Sequence, residues 1–166
     1  MSSSMEQLYQ QVILDHAKFP HGRGLEVVPE HSVGVHTGES HQVNPTCGDE
    51  VTLQVDVAHT DNGILVLDVR WEGQGCSISQ ASVSVLHDLV VGNNLATVDQ
   101  LGGTFRELMS ARGNGLHDEA AEDSLGDATA FTGVAKYPAR IKCALLGWSA
   151  LTDALIKTGA RPTEDS

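Results

Sequence analysis

Three cysteines lie in three separate stretches of the chain, and each has a local reason to ionise. Cys47 sits in Asn44-Pro45-Thr46-Cys47-Gly48-Asp49, a polar Pro/Gly turn leading into an expected strand. Cys76 immediately precedes the expected cap of a helix over 78–91, where the helix dipole favours a thiolate. Cys143 falls on the last helix with Arg140 one turn before it, a cation that also favours the charged form. Asp49, two residues after Cys47, can complete a tetrahedral Cys3Asp site with Cys76 and Cys143. No C-x-x-C pair occurs, so the spacing excludes an ordinary zinc finger. A free cysteine is also commonly a small buried hydrophobe, a reading that suits Cys143 best and Cys47 least. Spacing alone leaves both readings open.

Other constellations carry less. Gly73-Gln74-Gly75-Cys76 is a glycine-rich turn between a strand and a helix, as dinucleotide binding requires, but the third glycine position is Ile78. A tight strand-to-helix turn is the simpler reading. The eight histidines show no H-E-x-x-H or other spaced pair, so His16, His87 and the rest are expected at surfaces or caps. Asp15 and Asp88 read as surface charges on helices.

These residues are positioned by elements whose patterns are legible. Met5, Leu8, Val12 and Ile13 recur at helical spacing, and Ser4 with Gln7 forms a capping box, which predicts a helix over 5–18. Residues 20–48 are polar and glycine-rich, with a short strand near Val33–Thr37. Val51, Leu53, Val55 and Val57 alternate, as do Leu65, Leu67, Val69 and Trp71, with His59-Thr60-Asp61-Asn62-Gly63 between them. That is a hairpin over 50–72. Ser77 with Gln80 reads as a second capping box for helix 78–91, closed by Gly92. Thr97 with Gln100 suggests a third helix to about Arg112. Residues 113–127 carry five acids and no Lys or Arg, and read as a solvated acidic loop or insertion. A short helix at 128–135 and a long one from Pro138 to Lys157 follow, the latter with Ile141, Leu145, Trp148 and Leu155 toward the core. Strands first and helices afterwards indicate an α+β fold: one domain over 1–166, a small antiparallel sheet covered by helices.

Composition narrows the partners. The 166 residues hold 10 Lys+Arg against 22 Asp+Glu, a formal net charge of −12. That balance repels phosphate backbones and anionic lipid, so neither nucleic acid nor membrane is an expected partner. No apolar run approaches a bilayer's thickness, no signal peptide is visible, and the odd number of cysteines disfavours a disulfide framework. A cytoplasmic protein with reduced or metal-bound thiols is expected.

Four segments together resemble the IscU/SufU family: Leu8-Tyr9-Gln10-Gln11-Val12-Ile13-Leu14-Asp15-His16, Asn44 to Asp49, Gly75-Cys76-Ser77-Ile78-Ser79-Gln80-Ala81-Ser82, and Tyr137-Pro138-Ala139-Arg140-Ile141-Lys142-Cys143. They occur in order and span residues 5 to 157. Lys142 stands where the IscU branch carries His, residues 136–143 replace that branch's chaperone-recognition segment, and the acidic stretch 113–127 matches the SufU-type insertion. The resemblance therefore implies an IscU-like fold and a zinc-dependent sulfurtransferase of iron–sulfur cluster assembly. Such a protein accepts persulfide sulfur from a cysteine desulfurase of SufS type and serves downstream assembly proteins. By position the metal ligands would be Cys47, Asp49, Cys76 and Cys143. Cys47, on a flexible turn, would be the sulfur acceptor, with Arg140 supporting. The alternative is a scaffold on which a transient Fe–S cluster is built on the same thiols.

Overall fold

Alternation in the middle strand decides which way the molecule faces. In the computed structural model, which describes residues 2–25, 34–46 and 48–160, β1 (Val35–Asn44), β2 (Asp49–Thr60) and β3 (Gly63–Gln74) form an antiparallel sheet in the order β1-β2-β3. Asp49, Val51, Leu53, Val55 and Val57 occupy alternate positions of β2 and are all buried. The helices cover that face. In chain order these are α1 (Ser2–Lys18), α2 (Ser77–Val90), α3 (Leu95–Ser110), α4 (Glu119–Ser124), a 3-10 helix (Gly126–Lys136) and α5 (Pro138–Lys157). The predicted hairpin is present as β2 and β3. The extra strand is longer than the sequence suggests, and of its predicted span Val33 lies outside the described residues.

α5 packs on β1 and β2 and also touches α2. Close approach is possible because small residues line it. A Cβ on Gly38 would come 2.0 Å from the Ala154 carbonyl oxygen, and one on Gly147 would come 2.7 Å from Val83. Being sandwiched, α5 buries Cys143, Ala144, Leu146, Gly147, Ala150, Leu151 and Ala154 as well as Trp148 and Leu155, while Ile141 and Leu145 are only partly buried. The single apolar stripe expected from periodicity misses this second buried face, where Cys143, Ala144, Gly147, Ala150 and Ala154 stand with Leu146 and Leu151.

Local cap patterns were overridden by longer-range partners. α1 already begins at Ser2, so Ser4 is not its cap. Cys76 is itself the N-cap of α2, and no capping box forms: the Cys76 N–H is taken by Asp49 from the start of β2. α3 begins at Leu95, with Asn94 accepting from the Thr97 N–H at 2.9 Å. The acidic stretch is also more ordered than a solvated loop. Asp118 caps α4, Glu122 accepts from the Leu116 N–H, and Leu125 is fully buried. His16 is buried rather than a surface histidine. Its Nδ1 lies 2.7 Å from Ser84 Oγ on α2, and its Nε2 lies 2.9 Å from Asp127 Oδ2. The acid-rich segment is thus tied to the core at Leu125 and at His16.

β1 is clasped to α5 by Ser40, whose hydroxyl donates to Asp153 Oδ2 at 2.7 Å, with Lys157 3.1 Å from the same oxygen. Ser40 and then Lys157 hold the Asp153 carboxyl below its ordinary value. A carboxylate lowered on folding contributes stability above its unfolded pKa, and that contribution is lost as pH falls through the folded one. Ser40→Ala is therefore expected to lower stability at neutral pH, with the difference from wild type shrinking in acid below about pH 4. Denaturant melts of both proteins across pH 2–7 check this, and a difference that grows in acid would contradict it.

Candidate metal centre

Asp49 reaches the site because it heads the core-facing row of β2. It is 1% exposed, at the point where β2 leaves the 45–48 turn. Cys76 reaches it from the start of α2, and Cys143 from the second turn of α5. One ligand atom from each of these residues lies within 4.8 Å of the other two. Asp49 uses both oxygens: Oδ1 accepts from the Cys76 N–H at 2.8 Å, and Oδ2 lies 3.5 Å from Cys76 Sγ. Ser79 donates to the Cys76 carbonyl at 3.0 Å, and Ser82 donates to the Ala144 carbonyl. The second contact fixes the turn of α5 that carries Cys143 against α2.

The structure thus brings together Asp49, Cys76 and Cys143 of the residues singled out from sequence. Cys47 lies outside the described residues. Asn44 and Asp49, which bracket its turn, are paired across β1 and β2. Arg140 is exposed, one turn before Cys143, and lines a cleft of about 670 Å³ with Ser77, Ile78 and Tyr137. Lys142 is exposed as well.

Gly75 is the residue that sequence reasoning passed over, having read it only as part of a turn. Its φ of +142° is a conformation L side chains rarely adopt, and a Cβ there would fall 2.1 Å from Asp49 Oδ1 and 3.0 Å from Asp49 Cα. The glycine admits the carboxylate to the head of α2. Its signal was the glycine directly before Cys76 at a strand-to-helix junction.

The donor set fits a tetrahedral divalent ion of borderline softness. Two thiols and a carboxylate are a zinc-type combination. Metal–sulfur and metal–oxygen bonds of roughly 2.3 and 2.0 Å at tetrahedral angles put sulfur and oxygen about 3.5 Å apart, as Cys76 Sγ and Asp49 Oδ2 are. A second group, His16, His21 and Asp88, also has ligand atoms within 4.8 Å of one another. There the hydrogen bonds of His16 to Ser84 and Asp127, and of His21 to Asp88 at 2.7 Å, already account for the clustering.

Comparison with known proteins identifies the family and the fold. The family model of the NifU-like N-terminal domain matches residues 8–161. The zinc-dependent sulfurtransferase SufU of Bacillus subtilis is 36% identical over 156 residues, covering 94% of this chain and 95% of that protein. The iron–sulfur cluster assembly scaffold protein IscU of Streptococcus pyogenes is 36% identical over 155 residues, covering 92% and 86%. The crystal structure of FiSufU from Fervidobacterium islandicum superposes with a TM-score of 0.62 at 31% identity, covering 93% of this chain and 99% of that one. A NifU-like N-terminal protein from Brucella abortus, 22% identical, shares the fold with a TM-score of 0.68 over 92% of this chain and 95% of that one. With its sheet, its helical cover and nearly its whole length matched, the chain belongs to the family of NifU-like N-terminal domains.

Proposed function

We propose that this chain is a zinc-dependent sulfurtransferase that accepts persulfide sulfur from a cysteine desulfurase for iron–sulfur cluster assembly. The convergence of Asp49, Cys76 and Cys143 beside the 45–48 turn carries this reading. Its likeness to the B. subtilis SufU supports it. The metal would be held by Cys47, Asp49, Cys76 and Cys143. When bound, zinc would keep these thiols deprotonated and, being redox-silent, add no electron chemistry of its own. Cys47 is the acceptor, because it stands in the turn between β1 and β2 rather than on a helix, whereas Cys76 caps α2 and Cys143 is buried in α5. Its thiolate attacks the terminal sulfur of the partner's persulfide. A new S–S bond forms at Cys47, the partner's S–S bond breaks, and the electron pair leaves on the partner's cysteine thiolate. The exchange is redox-neutral. Arg140, exposed and lining the neighbouring cleft, supports the approach of the anionic persulfide.

A reducing compartment suits these thiols, so the protein acts in the cytoplasm. Among the described residues no helix is long and apolar enough to cross a membrane. Lys142 before Cys143 offers no imidazole to a cluster, which favours sulfur transfer over the scaffold reading. A colourless purified protein agrees with transfer, whereas a brown one carrying cluster would favour the scaffold. Cys47→Ser is expected to leave the sheet and helices in place, by circular dichroism, and to abolish stimulation of a SufS-type desulfurase. A Cys47→Ser protein that stimulates as well as wild type would overturn the proposal.

A further inference from the structure

The turn that carries position 47 contains a polar group with nothing to bind. Asn44 is 7% exposed, and its side-chain Nδ2 is buried with no hydrogen-bond partner. Buried donors are almost always answered, so an orphan needs a reason. The orientation of this amide is fixed, since Oδ1 accepts from the Thr46 N–H at 3.2 Å and a flipped amide would set donor against donor. The Asn44 main-chain carbonyl also accepts from the Gly48 N–H at 2.8 Å. Asn44 thus grips both flanks of position 47 while holding one donor in reserve. Directly paired residues of an antiparallel ladder project to the same face, and Asn44 pairs with Asp49. The spare donor therefore stands on the face where Asp49, Cys76 and Cys143 converge.

We propose that Asn44 is a positioning residue whose Nδ2 is kept for the sulfur that arrives at Cys47: it donates a hydrogen bond to the anionic terminal sulfur of the persulfide carried there. A persulfide extends the cysteine by one sulfur, about 2.05 Å further. A charge-assisted hydrogen bond to that atom is among the stronger kinds. The bond shields the terminal sulfur from small thiols until a protein acceptor takes it. The inference rests on the proposed role of Cys47.

Two substitutions separate this role from a purely structural one. Asn44→Asp keeps the oxygen that accepts from the Thr46 N–H but has no donor, whereas Asn44→Ala removes both. The zinc-loaded full-length proteins are charged by a desulfurase with L-cysteine, separated from it, and exposed to dithiothreitol. Loss of persulfide from the Cys47 peptide is followed by mass spectrometry, with zinc content and circular dichroism measured on each protein. In both variants the persulfide is expected to decay about tenfold faster than in wild type. If Asn44 only shapes the turn, Asn44→Asp keeps the wild-type lifetime, and that result overturns the proposal; the aspartate variant decides even if the alanine variant fails to fold. Wild type that acquires no persulfide on Cys47 would overturn both this inference and the function it rests on. Wild type that is loaded normally while Asn44→Asp decays no faster would overturn this inference alone.

Discussion

Stripping the metal from the purified protein is expected to lower its unfolding temperature by about 10 °C. The ligand atoms come from the start of β2, the start of α2 and the second turn of α5, elements up to 94 residues apart (143 − 49). An ion held there cross-links the sheet to two helices, and its binding free energy counts toward folding. At free metal about a thousandfold above the dissociation constant, binding adds roughly 4 kcal/mol to the folded state. For a chain of this size that corresponds to about 8–16 °C. Removal also leaves a carboxylate that is 1% exposed crowded against two thiols. Elemental analysis should give about one zinc per chain before chelation, and scanning calorimetry with and without a chelator measures the shift. A metal-free protein melting at the same temperature as the loaded one would show that the three residues pack without cooperating as ligands.

Gly75→Ala is expected to abolish metal retention and cost about 3 kcal/mol or more. The backbone at φ +142° strains any residue with a Cβ, a cost on the order of 1–3 kcal/mol by itself. The new methyl would also lie 2.1 Å from Asp49 Oδ1 and 3.0 Å from the Asp49 Cα. Turning the carboxylate aside cannot relieve the second contact, because it is with backbone. The strand-to-helix junction must therefore shift, and Asp49 loses both the Cys76 N–H and its place beside Cys76 Sγ. Metal content and thermal stability of the variant are the readouts, and an alanine protein that retains one zinc per chain would refute this account of the junction.

How far the sequence foretold this depends on the range of the interactions involved. Period-two alternation over 51–57 and 65–71 located the hairpin, and the same parity puts Asp49 on the core face with Val51. Pro138 and Gly92 marked the start of α5 and the end of α2 through backbone geometry local to each residue. The misread features were those settled at long range. Asp49, 27 residues away, replaces the expected cap of α2. His16 is buried because Ser84 and Asp127 meet it from two other elements. The second buried face of α5 gives no strong periodic signal because Gly147, Ala150 and Ala154 pack through closeness rather than bulk. Leu125 was hidden among acids whose solvated character dominated the reading of 113–127. Of the expected set, Asp49, Cys76 and Cys143 meet in space and Cys47 lies outside the described residues, whereas Gly75 and Asn44 read in sequence only as turn residues.

In the proposed reaction Cys47 receives the sulfur. A single turnover of a SufS-type desulfurase with L-cysteine and the zinc-loaded protein, followed by thiol blocking and peptide mass spectrometry, tests it most directly. One additional sulfur atom is expected on the peptide containing Cys47, with Cys76 and Cys143 unmodified. Persulfide on Cys143 or Cys76, with Cys47 unmodified, would contradict it.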